Sequence, residues 1–359
     1  MSAQLRTIKF DVLRVVAMLM IIGGHFVYHG IRHILCADIA DVGFTASLTG
    51  KVNYVLCQFL GYATNIGPNL FVLITGYFLV KPRPVRYAVE KFFKLWSTIV
   101  FYSITLYFMA LWMDIEEVFS FQSFFTTCLL PIHSNAYWFM TMYAGLLLLS
   151  PFLAQLSGIL SQRDYQALLA VLLVLNFGQE AWGYGIRYSG GMSLFFYIFI
   201  FFIGGYIKLF QPRYNAWCAC LVYFVTCAGL TAVNSLDFFI LNPEQFPYTK
   251  AIANNSLTLF TSVAFFLWFI SFPDAKLAPF HRCVTLSPFV LSVYLIHENT
   301  YVRTLLWDKM VCPSEYIDRW WLVPYGLVVC LAVFVCCIAI DYARHQILQA
   351  MKRVVARVF

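Results

Sequence analysis

An apolar segment near the start of the chain contains an arginine and a histidine, Arg14 and His25. A helix turns by about 100° and rises about 1.5 Å per residue, so this spacing places both side chains on one face, about 16 Å apart. Asp11 lies one turn before Arg14 and can pair with it. Histidine titrates near neutral pH and suits general-base work, whereas arginine keeps its charge and binds anions. This pattern allows proton transfer at one end of a helix face and anion binding at the other.

The composition indicates what kind of fold must position these groups. The chain has 359 residues, of which 61% are hydrophobic and only 11% are charged. Soluble domains carry about 25% charged residues, so this chain cannot cover itself in water and must use lipid as its solvent. No stretch is polar enough for a soluble domain. We therefore expect residues 1–359 to form a single all-α membrane domain, a polytopic helix bundle.

About twenty apolar residues suffice for one membrane-spanning helix. By this criterion the sequence predicts ten spans. An even number of spans puts both termini on the same side of the membrane. The predicted spans are roughly 10–29, 54–80, 95–113, 136–156, 164–178, 193–210, 215–235, 255–272, 286–306 and 321–343.

The distribution of charge orients these spans, because cytoplasmic segments carry an excess of Lys and Arg. With the N-terminus inside, 17 of the 24 basic residues and 5 of the 17 acidic residues lie on the inner side. The balance is then +12 inside and −5 outside. We expect both termini to be cytoplasmic, and the net charge of +7 needs no nucleic-acid partner.

The Arg14 and His25 pair has a plainer interpretation. Arg14 can extend to the inner headgroups while His25 hydrogen-bonds a neighbouring helix. Ionisable groups at membrane depth are costly, which favours a functional role. His29 and His33 continue the series at four-residue spacing, but no carboxylate or cysteine on that helix completes a ligand set. We therefore expect no metal there and place both histidines at the outer interface.

A second pair of ionisable residues, His297 and Glu298, falls in the ninth predicted span. Adjacent helical residues point about 100° apart, so the two need not share a site. A carboxylate in mid-helix is costly, which makes Glu298 the better functional candidate. Arg303 lies near the outer end, where contact with headgroups alone would explain it. Most of the 11 cysteines lie in apolar runs, and pairing is considered only for Cys36 with Cys312.

These motifs together resemble a known family. Arg14, ten residues and then His25, in a helix that begins Asp11-Val-Leu-Arg14, resembles the signature of membrane-bound acyltransferase family 3. Other segments resemble family motifs in the same order, and the resemblance covers nearly the whole chain. These segments are Phe71–Phe78, Tyr137–Phe152, Phe202–Tyr206 and Ser292–Trp307.

The resemblance implies transfer of an acyl group, usually acetyl, from coenzyme A to a sugar hydroxyl. It implies that His25 is the general base and that Arg14 holds the pantetheine arm or a phosphate. On the acceptor side it suggests four further residues, Trp138, Tyr143, His297 and Glu298. The expected setting is a multi-pass protein of the cell membrane. Its expected partners are membrane lipid, cytosolic acyl-CoA and a surface glycan or glycolipid.

The sequence departs from the family pattern at the start of the third helix. The family usually has two arginines three residues apart, and here Lys91 and Lys94 stand in their place. Arginine binds phosphate bidentately, whereas lysine acts as a point charge. Two interpretations stay open: Lys91 and Lys94 bind the nucleotide of acyl-CoA, or they only anchor the helix at the positive inner side.

Other functions fit a ten-helix bundle with buried charges. The chief rival is a transporter or flippase of a glycan, glycolipid or small polar cargo. Inverted internal repeats would favour a transporter, and none is visible by eye. A membrane domain that serves a partner enzyme and a structural scaffold are further alternatives. The sequence identifies neither the acceptor, nor the acyl group, nor the oligomeric state.

Overall fold

The computed structural model describes residues 8–31, 47–115, 119–129, 137–182, 193–240 and 256–358. Every regular element within these ranges is helical, and they contain no β-strand. His33 and Cys36 lie outside the described residues, so the interpretations that involve them stay predictions.

The first half of the chain forms seven α-helices in the described ranges, of which the fifth is a single turn that continues as the π-helix Phe125–Leu129. They are α1 (Ile8–Gly30), α2 (Leu48–Thr64), α3 (Gly67–Leu79), α4 (Val85–Trp112), α5 (Phe121–Phe124), α6 (Trp138–Ile159) and α7 (Gln162–Trp182).

The second half contains three longer helices, a series of short ones and a long C-terminal helix. The α-helices are α8 (Leu194–Phe210), α9 (Ala216–Ile240), α10 (Ser256–Ile270), α11 (Asp274–Leu277), α12 (Cys283–Leu286), α13 (Val290–His297), α14 (Thr300–Thr304) and α15 (Leu322–Val358). Between them lie the 3-10 turns Ala278–Phe280, Ser287–Phe289 and Pro313–Tyr316 and the π-helix Leu305–Val311.

Five of the described helices are long and apolar enough to cross a membrane. A sixth span results if Leu257–Ile270 and Asp274–Phe280, which meet at a bend of 94°, are counted as one. The chain is therefore an all-α, membrane-type helix bundle, as predicted. The total of ten spans and the cytoplasmic location of both termini stay predictions.

Two predicted spans are not the continuous helices we expected. The segment 54–80 is interrupted after α2, because Pro68 at the start of α3 has no N–H group to continue the helical hydrogen bonds. The segment 286–306 breaks between α13 and α14, where the Asn299 side chain accepts a hydrogen bond from the backbone N–H of Tyr301 (3.1 Å). Hydropathy alone cannot reveal either break.

Helix α1 lies at the centre of the bundle and packs against α2, α3, α12, α13 and α15. Helices α3 and α8 pack closely because each presents a glycine to the other. A Cβ atom on Gly76 would collide with the carbonyl oxygen of Phe201, and one on Gly204 would collide with that of Leu73. This close packing holds α3 against the core, beside the helix α1 that carries Arg14 and His25.

Candidate functional site

A cluster of ionisable side chains joins α1 to the end of α13. His25 Nδ1 lies 3.0 Å from His297 Nε2 and 3.1 Å from Glu298 Oε2. His29, one turn further along α1, places its Nε2 3.2 Å from the same Glu298 oxygen. His297 and Glu298 are buried, and His25 and His29 are half-buried. The two histidines of α1 thus share one buried carboxylate.

The hydrogen bonds define which nitrogen of His25 carries the proton. His297 Nδ1 lies 2.5 Å from the backbone carbonyl oxygen of Val293, which can only accept a hydrogen bond. His297 Nδ1 therefore donates, and Nε2 of a neutral His297 accepts. His25 Nδ1 then faces two acceptors, His297 Nε2 and Glu298 Oε2, and must itself be the donor. Nε2 of His25 then carries the acceptor lone pair, so it is the atom that could take a proton.

The break between α13 and α14 brings His297 and Glu298 to this position. Glu298 caps the C-terminal end of α13, and its N–H still donates a helical hydrogen bond to the carbonyl oxygen of Tyr294 (3.0 Å). Asn299 then starts α14, and its Nδ2 donates to the hydroxyl of Tyr137 (2.8 Å). That hydroxyl donates in turn to the carbonyl oxygen of Leu295 (3.0 Å). A buried polar network therefore fixes the turn that presents the carboxylate.

Three contacts in this region were not predicted from the sequence. His297 and Glu298 share one site, because the helix ends between them and Asn299. His29 contacts Glu298, and its location at the outer interface stays a prediction. Arg303 does not only meet headgroups, since its Nη1 lies 3.3 Å from Glu298 Oε1. Glu298 is thus contacted through both oxygens, by the two α1 histidines on one and by Arg303 on the other.

The same cluster could hold a metal ion. His25, His297 and Glu298 offer ligand atoms that all lie within 4.8 Å of one another. Two histidines and a glutamate are a ligand set that zinc accepts. The sequence argument against a metal considered only groups on α1, whereas this carboxylate comes from the end of α13.

Arg14 is fixed by a second network at the other end of α1. Its Nη1 donates to Asp11 Oδ1 at 2.9 Å, and Ser287 Oγ donates to the same oxygen at 2.7 Å. Asp11 is fully buried, and the guanidinium of Arg14 lies 5.9 Å from the ring centre of Phe78. The predicted pairing of Asp11 with Arg14 is present.

A cavity of about 900 Å³ opens beside Arg14. Its wall includes the three residues predicted to bind the donor, Arg14, Lys91 and Lys94. It also includes Tyr143, which was predicted to contact the acceptor. Tyr143 is within hydrogen-bonding distance of Thr75, 3.1 Å between the two hydroxyl oxygens. The structure therefore brings the predicted donor-binding cations together in one cavity.

The remaining predicted residues lie elsewhere. Among the described residues, the cavity wall includes neither His25 nor Trp138. Tyr143 differs from them, because it lines this cavity although we expected it on the acceptor side. Trp138 stacks on Tyr197 with their ring centres 6.5 Å apart. Sequence reasoning missed Arg344, which also lines the cavity. Its only sequence signal was its inclusion among the inner basic residues.

Comparison with known proteins agrees with these motifs. The model of acyltransferase family 3, described as an acyltransferase domain, matches residues 7–342. No curated protein and no solved structure gives a significant match to the chain. The matched region begins just before α1 and ends within α15, so it includes Arg14, His25 and Glu298. The chain therefore belongs to acyltransferase family 3.

Proposed function

We propose that the protein is an O-acyltransferase of the cell membrane. It moves an acyl group, most simply acetyl, from cytosolic acyl-CoA to a hydroxyl of a surface sugar, polysaccharide or glycolipid. The observation that carries this proposal is the hydrogen bonding of His25. Its Nδ1 is hydrogen-bonded to His297 Nε2 and lies 3.1 Å from the Glu298 carboxylate, and no hydrogen bond to its Nε2 occurs within the described part of the chain. A neutral imidazole held in this way is suited to take a proton.

The proposed reaction is a single displacement. His25 Nε2 takes the proton of the acceptor hydroxyl as its oxygen attacks the thioester carbonyl carbon. The C–S bond then breaks, and the coenzyme A thiolate receives the proton from His25. No covalent acyl-enzyme is needed, because a thioester is already activated. The Glu298 carboxylate stabilises the imidazolium that forms, as the acidic member does in a Ser-His-Asp triad.

The cavity supplies the donor side of this proposal. Its cationic residues suit the polyanionic nucleotide of acyl-CoA, whose phosphates Lys91 and Lys94 would attract. Arg14, fixed by Asp11, would hold the pantetheine arm or a phosphate. The cavity wall extends to Ser292 on α13. From there to His297 is five residues, about 7.5 Å along a helix, so the thioester end of the arm would point toward the histidine cluster.

The acceptor would approach His25 from the outer side of the membrane. The contacts of His297 and Glu298 favour a role in orienting His25 over the predicted direct contact with the acceptor. Tyr143 would contact the donor, since it lines the donor cavity. Trp138 stays the proposed aromatic contact for the acceptor sugar, because aromatic rings can pack against apolar sugar faces.

Mass spectrometry of surface glycans tests this proposal. The glycans come from cells that lack the gene, cells complemented with the wild-type gene and cells complemented with His25→Ala. We expect an acyl mass on the glycan with the wild type only. His281→Ala is the matched control, since this exposed histidine lies outside the cluster, and it should restore acylation. A transporter would be indicated instead if cells that lack the gene kept the glycan inside the cell, with unchanged acyl content, and no longer displayed it on the surface.

A further inference from the structure

We infer, on the basis of the proposed function, that Arg344 binds a phosphate of the acyl-CoA nucleotide. This residue lies on α15, beyond the end of the last predicted span, and no family motif discussed above includes it. It lines the same cavity as Arg14, Lys91 and Lys94. Arg344 would thereby supply the guanidinium that the two lysines of α4 do not.

The guanidinium of Arg344 is held in place before any ligand binds. Its Nε donates to Asp341 Oδ1 at 2.5 Å, and the hydroxyl of Tyr102 donates to the same oxygen at 2.5 Å. Asp341 is only 2% exposed. The ring centres of Phe101 and Tyr102 lie 5.4 and 5.5 Å from the Arg344 Cζ atom. Two helices, α4 and α15, therefore fix the direction of this side chain.

This arrangement leaves donors for a ligand. A guanidinium has five N–H groups, and the contact with Asp341 uses the one on Nε. The terminal nitrogens can form a bidentate pair with phosphate, which a lysine ammonium cannot. Lys91, Lys94 and His345 line the cavity as well. The nearby lysines add attraction for a polyanion, and Arg344 adds the geometry that recognises phosphate.

A purely structural role is the alternative. In that case Arg344 only neutralises Asp341 between α4 and α15, and its loss disturbs the whole cavity. The two roles differ in their dependence on the ligand. A phosphate-binding residue matters for coenzyme A but not for pantetheine, which has the same thiol arm and no phosphate. A structural residue matters equally for both.

The test measures the Kd of coenzyme A and of pantetheine for the purified full-length protein in detergent. For Arg344→Gln we expect the Kd of coenzyme A to rise by about 10- to 100-fold, because a charge-assisted hydrogen-bonded pair is lost. The Kd of pantetheine should stay unchanged. Arg344→Lys should weaken coenzyme A binding less. Arg353→Gln, on the same helix but outside the cavity wall, is the matched control and should bind both ligands normally.

Two results would overturn the inference: an unchanged Kd for coenzyme A in Arg344→Gln, or an equal loss of coenzyme A and pantetheine binding. Denaturation curves of the variants show whether Arg344→Gln is folded. If it is not, the comparison of coenzyme A with pantetheine binding is made with Arg344→Lys. Failure of the proposed function would look different. The wild type would then bind coenzyme A in an Arg344-dependent way, while the surface glycans carried no acyl group.

Discussion

An oxygen of Glu298, at the end of α13, lies 3.1 Å from Nδ1 of His25, near the C-terminal end of α1. This contact joins two parts of the chain that are far apart in sequence. Together with the hydrogen bond from His25 to His297, it makes Nε2 of His25 the nitrogen that carries the acceptor lone pair. The proposed mechanism follows from this relationship, because Nε2 is then the nitrogen that accepts the proton of the acceptor hydroxyl.

Replacement of Glu298 by Gln should slow acyl transfer strongly. The amide keeps the shape of the side chain but cannot neutralise an imidazolium at His25, so the rate should fall by about 10³-fold. The assay supplies radiolabelled acetyl-CoA to inverted membrane vesicles from cells that acylate their surface glycan, and measures incorporation of label. Glu315→Gln, at an exposed carboxylate, is the control. A wild-type rate in Glu298→Gln would exclude the carboxylate from the mechanism.

Replacement of Asp11 by Asn should weaken binding of the acyl donor, acetyl-CoA. Arg14 loses its charged partner but the chain keeps a similar side chain at position 11. We expect a higher KM for acetyl-CoA, because Arg14 is no longer fixed beside the cavity, and a lower melting temperature in detergent, because a buried pair is broken. The same vesicle assay, run over a series of acetyl-CoA concentrations, gives KM. If KM and melting temperature are both unchanged, the Asp11 pair does not position Arg14.

Replacement of Gly204 by Ala should destabilise the bundle. The new methyl group would meet the carbonyl oxygen of Leu73, which is backbone and cannot move aside cheaply. Overpacking of this kind costs about 1–3 kcal/mol. Gly229→Ala is the matched control, because nothing lies within 4 Å of a Cβ atom at that position. Thermal denaturation in detergent compares the two. An equal melting temperature for both variants would mean that α3 and α8 can separate without loss of stability.

Removal of metal ions should leave the acyl transfer rate unchanged. In the proposed mechanism His25, His297 and Glu298 act through hydrogen bonds and proton transfer, although their ligand atoms lie close enough to hold a metal. The measurement is incorporation of label by vesicles dialysed against EDTA, compared with untreated vesicles. A loss of activity that added Zn²⁺ restores would show that this cluster works as a metal site.

Helix geometry alone predicts part of the site. The positions of Arg14 and His25 on one helix follow from their spacing, and the partner of Arg14 follows from Asp11 one turn earlier. The family motifs also direct attention to the late segment with His297 and Glu298. The contact between Asp11 and Arg14 is local in sequence. The other residues are ionisable side chains within apolar segments, and their energetic cost in a membrane makes them recognisable in the sequence.

The convergence of His297 and Glu298 on His25 could not be predicted in the same way. It depends on the helix break at Asn299, whose side chain donates a hydrogen bond to Tyr137, a residue distant in sequence that lies just before α6. The proposed role of Arg344 could not be predicted from the sequence for a similar reason. Its direction is set by Asp341 and by Tyr102 on α4, and such tertiary contacts leave no periodic pattern in the sequence.

The most direct test of the central claim measures acyl transfer by His25→Ala in inverted vesicles, with and without added imidazole. We expect a loss of at least about 10²-fold at normal protein levels, since a general base contributes about that much or more. We also expect partial, saturable recovery when imidazole occupies the space of the missing side chain. A His25→Ala protein that transfers the acyl group at the wild-type rate would contradict the account.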